Sequence, residues 1–303
     1  MRSFKSRLMN LLLRSLGAKK MFVNFADAQA DPEAFLKAVT DARAGGDYLH
    51  EPPEKITSQT KCEQLDVNGN ALHLLEFGSK KRVIFFLHGG AYVLGVARPY
   101  WDMVKKIGEG ADCHLALFDY PLAPEHTCES VLESCMAAFD LLIERYGVEN
   151  VVVMGDSAGG GLSMGLTLKL RDLERPLPNK IALLYPWLDV TMSHPEARGI
   201  ESSDYLLGVD GLIACGKHYA GDLGVEHPYV SPWFADLAGL PPIGVFTGTW
   251  DVLHSEGRDF VGKVKATGGS VELNVYEQMQ HAWLLFDMPE TRKGLDDIRK
   301  FLS

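Results

Sequence analysis

Gly155-Asp156-Ser157-Ala158-Gly159 sets one serine between glycines, directly after the apolar run Asn150-Val151-Val152-Val153-Met154 and before small residues at helical spacing. Glycines on both flanks suit a sharp strand-to-helix turn that leaves no room for a Cβ and lifts the hydroxyl above a sheet. Ser157 is therefore a candidate nucleophile. No G-K-[ST] follows it, so the segment is not a phosphate loop, and its spacing is not the G-x-G-x-x-G of a dinucleotide site.

A second glycine loop, His88-Gly89-Gly90-Ala91-Tyr92, also follows an apolar run directly. Successive glycines let backbone N–H groups approach a ligand oxygen that a side chain would block. Together with the N–H of Ala158, those of Gly89 and Gly90 are expected to hold the negative oxygen of a tetrahedral intermediate. Removing one such donor typically costs about 3 kcal/mol of barrier stabilisation. A plain loop with His88 capping the turn is the alternative.

A serine hydroxyl is a weak nucleophile until a neutral imidazole takes its proton, and the imidazole needs an acceptor that fixes its tautomer. Of ten histidines, His281 in Glu277-Gln278-Met279-Gln280-His281 lies just past the extended run 271–276; His254, the nearest rival, is expected to begin a helix. For the acid, Asp251 lies just beyond the run 243–247, whereas Glu256 and Asp259 fall further along the following helix. A carboxylate at such a place also serves as an ordinary helix N-cap.

These residues need a scaffold that gathers them, and the apolar patterning supplies one. Two extended runs flank Asn68-Gly69, a dipeptide suited to the positive φ values of a tight hairpin. Six further β-rich runs follow, at 82–87, 114–118, 150–154, 181–185, 243–247 and 271–276, with helical periodicity between most of them. Continuous rather than alternating apolar runs are what strands buried on both faces require. The expectation is an eight-stranded, mostly parallel sheet flanked by helices, with ligands at the carboxyl ends of the strands. The gap from Leu188 to Pro242 is too long for a simple crossover and is expected to hold an inserted helical segment.

Taken together, "HGGAY", "YPLAPEH", "GDSAGGGL", "YPWLD", "GTWDVL" and "EQMQHAW" occur in that order from about residue 60 onward. In these stretches the chain resembles the hormone-sensitive-lipase-like (bacterial family IV) esterases and lipases of the α/β-hydrolase superfamily. The resemblance implies an α/β-hydrolase fold, with Ser157 as nucleophile, His281 as base, Asp251 as acid and Gly89, Gly90 and Ala158 as oxyanion donors. The chain order Ser, Asp, His is also that of the superfamily. It further implies one domain over 1–303, with helical cap elements from about 1–45 and 190–225. Ala91 stands where the family usually has a third glycine, Pro121 where arginine is common, and His254 where an acid is frequent. Asp156, Glu125 and Trp187 are expected to bond and pack rather than react.

The expected activity is hydrolysis of short to medium acyl esters through an acyl-enzyme, with Tyr205, Leu206, Leu207 and the N-terminal leucines as an apolar cover. The alternatives are an amidase or arylformamidase on the same triad, and a non-catalytic small-molecule receptor of the same fold. No cofactor is required, and no H-E-x-x-H or other metal-ligand set is present in the sequence.

A net charge of −10 argues against a nucleic-acid partner. The five cysteines are scattered without C-x-x-C spacing, which suits a reducing compartment, and the protein is expected to be cytoplasmic. The expected partner is a small-molecule ester substrate, without stable membrane insertion, and a homodimer is the candidate assembly. Residues 1–20 carry Arg2, Lys5, Arg7, Arg14, Lys19 and Lys20 and no acid, leaving −16 for the remainder. Within them Phe4, Leu8, Leu11, Leu12 and Leu16 mark one face of an amphipathic helix. That face is expected to pack on the protein itself, with a membrane surface as the rival reading.

Overall fold

The computed structural model describes residues 3–17, 19–77 and 81–303; Arg2 and the side chain of Leu16, both part of the N-terminal pattern, lie outside the description. Eight strands form one sheet: β1 (Lys61–Val67), β2 (Asn70–Glu76), β3 (Val83–Leu87), β4 (His114–Phe118), β5 (Val151–Asp156), β6 (Lys180–Leu184), β7 (Ile243–Gly248) and β8 (Val271–Tyr276). Their order across the sheet is β1-β2-β4-β3-β5-β6-β7-β8. β1 and β2 pair antiparallel around the two-residue turn Asn68-Gly69, whose φ values of 55° and 83° fit the expected hairpin. β2 meets β4 antiparallel, and every later pair is parallel.

The helices are α1 (Phe4–Leu16), α2 (Lys20–Ala28), α3 (Pro32–Gly45), α4 (Glu54–Thr57), α5 (Pro99–Ala111), α6 (Cys128–Tyr146), α7 (Ala158–Asp172), α8 (Ala197–Ile200), α9 (Val209–Ala220), α10 (His254–Ala266) and α11 (Pro289–Leu302). β3 and β5 are buried along their full lengths, as strands covered on both faces must be. Phe85 and Leu87 of β3 pack with Leu132 and Phe139 of α6 and Leu162 of α7. Ile84 and Phe86 point the other way, into a layer with Val104 and Ile107 of α5 and Ile298 of α11. Among the described residues no helix is long and apolar enough to cross a membrane.

Strand order reverses at β3, since the chain goes from β3 to β4 on one side and returns to β5 on the other. Such a switch point leaves a crevice above the carboxyl ends of the two central strands. The β3–β5 register, Leu87 opposite Gly155, sets the glycine loop after β3 beside the serine turn after β5. Topology alone thus brings the two motifs together.

Helices α2 and α9 roof this crevice and touch backbone to backbone. A Cβ on Gly211 would stand 2.2 Å from the carbonyl oxygen of Phe22, so only glycine fits at that crossing. Phe22, Phe25 and Phe35 continue the contact inward, and the Phe35 ring stacks on His218 at 3.8 Å. Gly211→Ala must push α2 off α9, and overpacking of this kind costs about 1–3 kcal/mol. Urea denaturation should show that loss, and KM should rise because Phe22 also walls the cavity described below.

Candidate active site

Ser157 directly follows β5 with φ 55° and ψ −123°, a left-handed conformation that costs a non-glycine residue on the order of 1–3 kcal/mol. Backbone bonds hold it there. The Ser157 N–H donates to Leu184 O at 2.9 Å, and its carbonyl accepts from Gly160 N at 3.0 Å and Trp187 N at 2.9 Å. The flanking glycines are a packing requirement: a Cβ on Gly159 would lie 1.9 Å from Leu87 O, and one on Gly155 2.1 Å from Gly159 O. The first turn of α7 thereby rests directly on the end of β3.

His281 and Asp251 arrive from the ends of β8 and β7. The two loops are tied by Trp250 N donating to Met279 O at 3.0 Å and Thr249 N to Tyr276 O at 3.1 Å. His281 Nε2 lies 2.9 Å from Ser157 Oγ, and its Nδ1 lies 2.8 Å from Asp251 Oδ2. A carboxylate can only accept, so Nδ1 carries the proton and Nε2 is left as acceptor for the serine hydroxyl. Asp251 Oδ1 also accepts from Leu253 N at 2.9 Å. All three side chains are buried.

Burial disfavours the imidazolium of His281, but the Asp251 carboxylate and its hydrogen bond outweigh that, and the His281 pKa is raised above 6.5. His254, the rival base, instead sits at the start of α10 with its Nδ1 3.2 Å from Thr247 Oγ1.

The glycine loop departs from expectation at one donor. Gly89 N–H donates to Asp156 Oδ1 at 2.7 Å and faces Tyr100 Oη at 3.1 Å, so it is already engaged. Among the described residues, the N–H groups of Gly90 and Ala158 have no protein acceptor. That of Ala158 is the first N–H of α7, at the positive end of the helix. Ala91, in place of the usual third glycine, adopts φ 53°, so the loop keeps a left-handed turn despite the extra methyl.

Asp156 links the two motifs. Its carboxyl accepts from Gly89 and, at 2.7 Å, from Tyr100 Oη. Burial pushes its pKa up to about 7, against the opposing pull of those hydrogen bonds. Glu125 pairs with Arg43 at 2.6 Å and Trp187 Nε1 donates to Asp189 O at 2.9 Å, bonding roles as expected for both.

Two residues of the site were missed by the sequence reading. Asp204, in the segment before α9, accepts from Val252 N at 3.1 Å with one carboxylate oxygen, and from Leu206 N and Leu207 N at 2.8 and 2.9 Å with the other. Burial, with the nearby Asp251 charge, pushes its pKa up to about 6. Gln280 accepts from Tyr205 N at 2.8 Å and donates to Ser203 O at 2.7 Å. The segment 203–207 is thus fastened to both the acid loop and the histidine loop. Adjacency to His281 was the only available hint for Gln280; Asp204 had none.

Above Ser157 and His281 lies a cavity of about 250 Å³ with mostly apolar walls, including Met21, Phe22, Leu206, Leu207, Leu212 and Leu285. Leu206 and Leu207 face it as expected, but Tyr205 lines a separate groove against α1. Leu8, Leu11 and Leu12 do not take part in the cover: they are exposed, because α1 turns that face outward.

A family model described as an alpha/beta hydrolase fold matches residues 84–285. An esterase of Acinetobacter venetianus is 30% identical over 229 residues, covering 74% of this chain and 76% of that protein. An acetyl-hydrolase of Streptomyces hygroscopicus is 29% identical over 224 residues, 73% of this chain and 75% of that one. Among solved structures, an esterase from the bacterial hormone-sensitive lipase (HSL) family superposes with a TM-score of 0.78 at 27% identity, over 93% of this chain and 96% of that one. An esterase/lipase from an uncultured bacterium superposes at 0.79 with 28% identity, over 87% and 90%.

An NMR titration of the His281 ring should give a midpoint above 6.5, and Asp251→Asn should lower it by removing the charge that raises it. A wild-type midpoint below 6.5 would mean that burial outweighs the carboxylate.

Proposed function

Because this chain belongs to the α/β-hydrolase family, in its hormone-sensitive-lipase-like branch of carboxylic-ester hydrolases, we propose that it acts through an acyl-enzyme on Ser157 and prefers short to medium acyl chains. The observation that carries this reading is the unbroken relay from Ser157 Oγ to His281 at 2.9 Å and on to Asp251 at 2.8 Å. His281 Nε2 takes the hydroxyl proton as Oγ attacks the ester carbonyl. Asp251 holds the Nδ1–H tautomer and stabilises the imidazolium that forms.

The N–H groups of Gly90 and Ala158 receive the developing oxyanion. Gly89 contributes by anchoring the loop to Asp156, not as a donor. Collapse of the tetrahedral intermediate breaks the bond to the alkoxy oxygen, which leaves as the alcohol with the proton from His281. Water then attacks the acyl-serine with His281 again as base, releasing the acid and restoring the hydroxyl.

Residues 1–303 are read as a single domain in which α1–α3 and α8–α9 form the cap. The cavity, at about 250 Å³, is just below the ~300 Å³ at which ligand pockets usually begin. Its walls favour an apolar acyl group, and its size limits that group's length.

Ser157→Ala should lower kcat/KM on a nitrophenyl ester by at least about 10⁴-fold with the fold intact. Turnover that survives this substitution overturns the assignment. Across nitrophenyl esters of increasing acyl length, kcat/KM should rise about fourfold per methylene while the cavity fills, since each buried methylene is worth about 0.8 kcal/mol, and fall once it is full.

A further inference from the structure

Helix α1 turns Ser6, Asn10 and Leu13 inward and its broad apolar face outward. Ser6 and Asn10 are 2% and 8% exposed, whereas Phe4, Leu8, Leu11 and Leu12 are 80%, 55%, 64% and 47% exposed. Isolated exposed leucines are ordinary, but four large apolar side chains on one face of one helix form a patch that calls for a partner. At about 100° per residue, Leu8, Leu11 and Leu12 all fall within about 80° of Phe4. Arg7 and Arg14 follow on one flank at about 60–80°, and Lys5 on the other at about 100°.

Among the described residues Arg7 and Arg14 have no acidic partner, and Lys5 pairs with Asp287 across an exposed 2.9 Å contact. The first acid of the chain is Asp27, so the patch sits in a segment of six basic residues and no acid.

We propose that α1 is an interfacial anchor that seats the protein on an anionic lipid bilayer. Phe4, Leu8, Leu11 and Leu12 enter the boundary between headgroups and acyl chains, and Arg7 and Arg14 meet lipid phosphates and carboxylates along one flank. Charge complementarity selects this occupant. A neutral surface would satisfy only the apolar half of the face. A second copy, docked face to face by a two-fold axis, would set basic flank against basic flank, arginines near their own images in an antiparallel pair and near Lys5 in a parallel one. The remainder of the chain carries −16 and is repelled by an anionic membrane, which orients the molecule with α1 toward it. The proposal does not rest on the reaction at Ser157, since none of these side chains lines the cavity.

The test is co-sedimentation of the full chain with vesicles of phosphatidylcholine alone and of phosphatidylcholine mixed with phosphatidylserine, at low and high salt. Partition should appear only with phosphatidylserine and fall as salt rises. Arg7→Gln/Arg14→Gln should weaken it about 30-fold, as each basic group near such a surface contributes about fivefold. Leu8→Asn/Leu11→Asn should abolish it at an unchanged thermal melt, because both side chains already face solvent. Several results overturn the proposal: no partition to phosphatidylserine vesicles, equal partition to both compositions, or insensitivity to either double variant. A concentration-dependent dimer that Leu8→Asn/Leu11→Asn dissolves, without vesicle binding, overturns it too and assigns the face to a second copy.

Discussion

The close approach of α7 to the end of β3 governs the site. Gly159 lies so near Leu87 O that a single added carbon would stand 1.9 Å from it. That proximity fixes where the helix begins, and so holds Ser157 at φ 55°. Several consequences share this origin. The first N–H of α7 directly follows Ser157, the glycine loop after β3 lies alongside, and the Ser157 hydroxyl points toward His281 on the loop from β8. The local strain of the turn is tolerated because its backbone bonds run to the end of β6 and just beyond, at Leu184 and Trp187, and to Gly160 in the first turn of α7.

Around that turn three buried aspartates surround one imidazole. Asp156 and Asp204 are each held by hydrogen bonds from neighbouring groups, yet burial still lifts them to about 7 and about 6. Both therefore lose charge near neutrality more readily than exposed carboxylates do. Each also fastens one segment: Asp156 the glycine loop, Asp204 the cap segment over the acid loop. The imidazole in their midst is stabilised in its charged form by Asp251 first and by Asp204 and Asp156 after it. Electrostatics and positioning are thus handled by the same side chains.

Much of this was legible from residue order. The eight strands fall where continuous apolar runs and Asn68-Gly69 place them, because strands buried on both faces leave an unmistakable pattern and the hairpin needs two positive φ values. The proximity of Ser157, Asp251 and His281 was likewise foreseeable, since each follows a parallel strand and parallel strands end on one edge. What escaped was decided by side chains at short range. Gly89 reads as a free donor because nothing in its neighbours shows that the Asp156 carboxylate turns back to take its N–H. Asp204 escaped because no periodicity reports where an irregular cap segment returns to the sheet.

Helix α1 shows a different limit. Its periodicity marks an apolar face, and such a face ordinarily turns to the core because burying it is favourable. Here the rotation of the helix is set at its start. Ser3 caps it by accepting from Ser6 N, and Ser3 itself donates from N and Oγ to Glu290, at the N-terminus of α11. Lys5 adds a second tie to Asp287 in the same region. With the first turn pinned, helical geometry carries Ser6, Asn10 and Leu13 inward and sends Phe4, Leu8 and Leu11 out. Two polar anchors at one end thus override the apolar preference of the rest. Periodicity identifies a face, and only the contacts at its ends decide what that face meets.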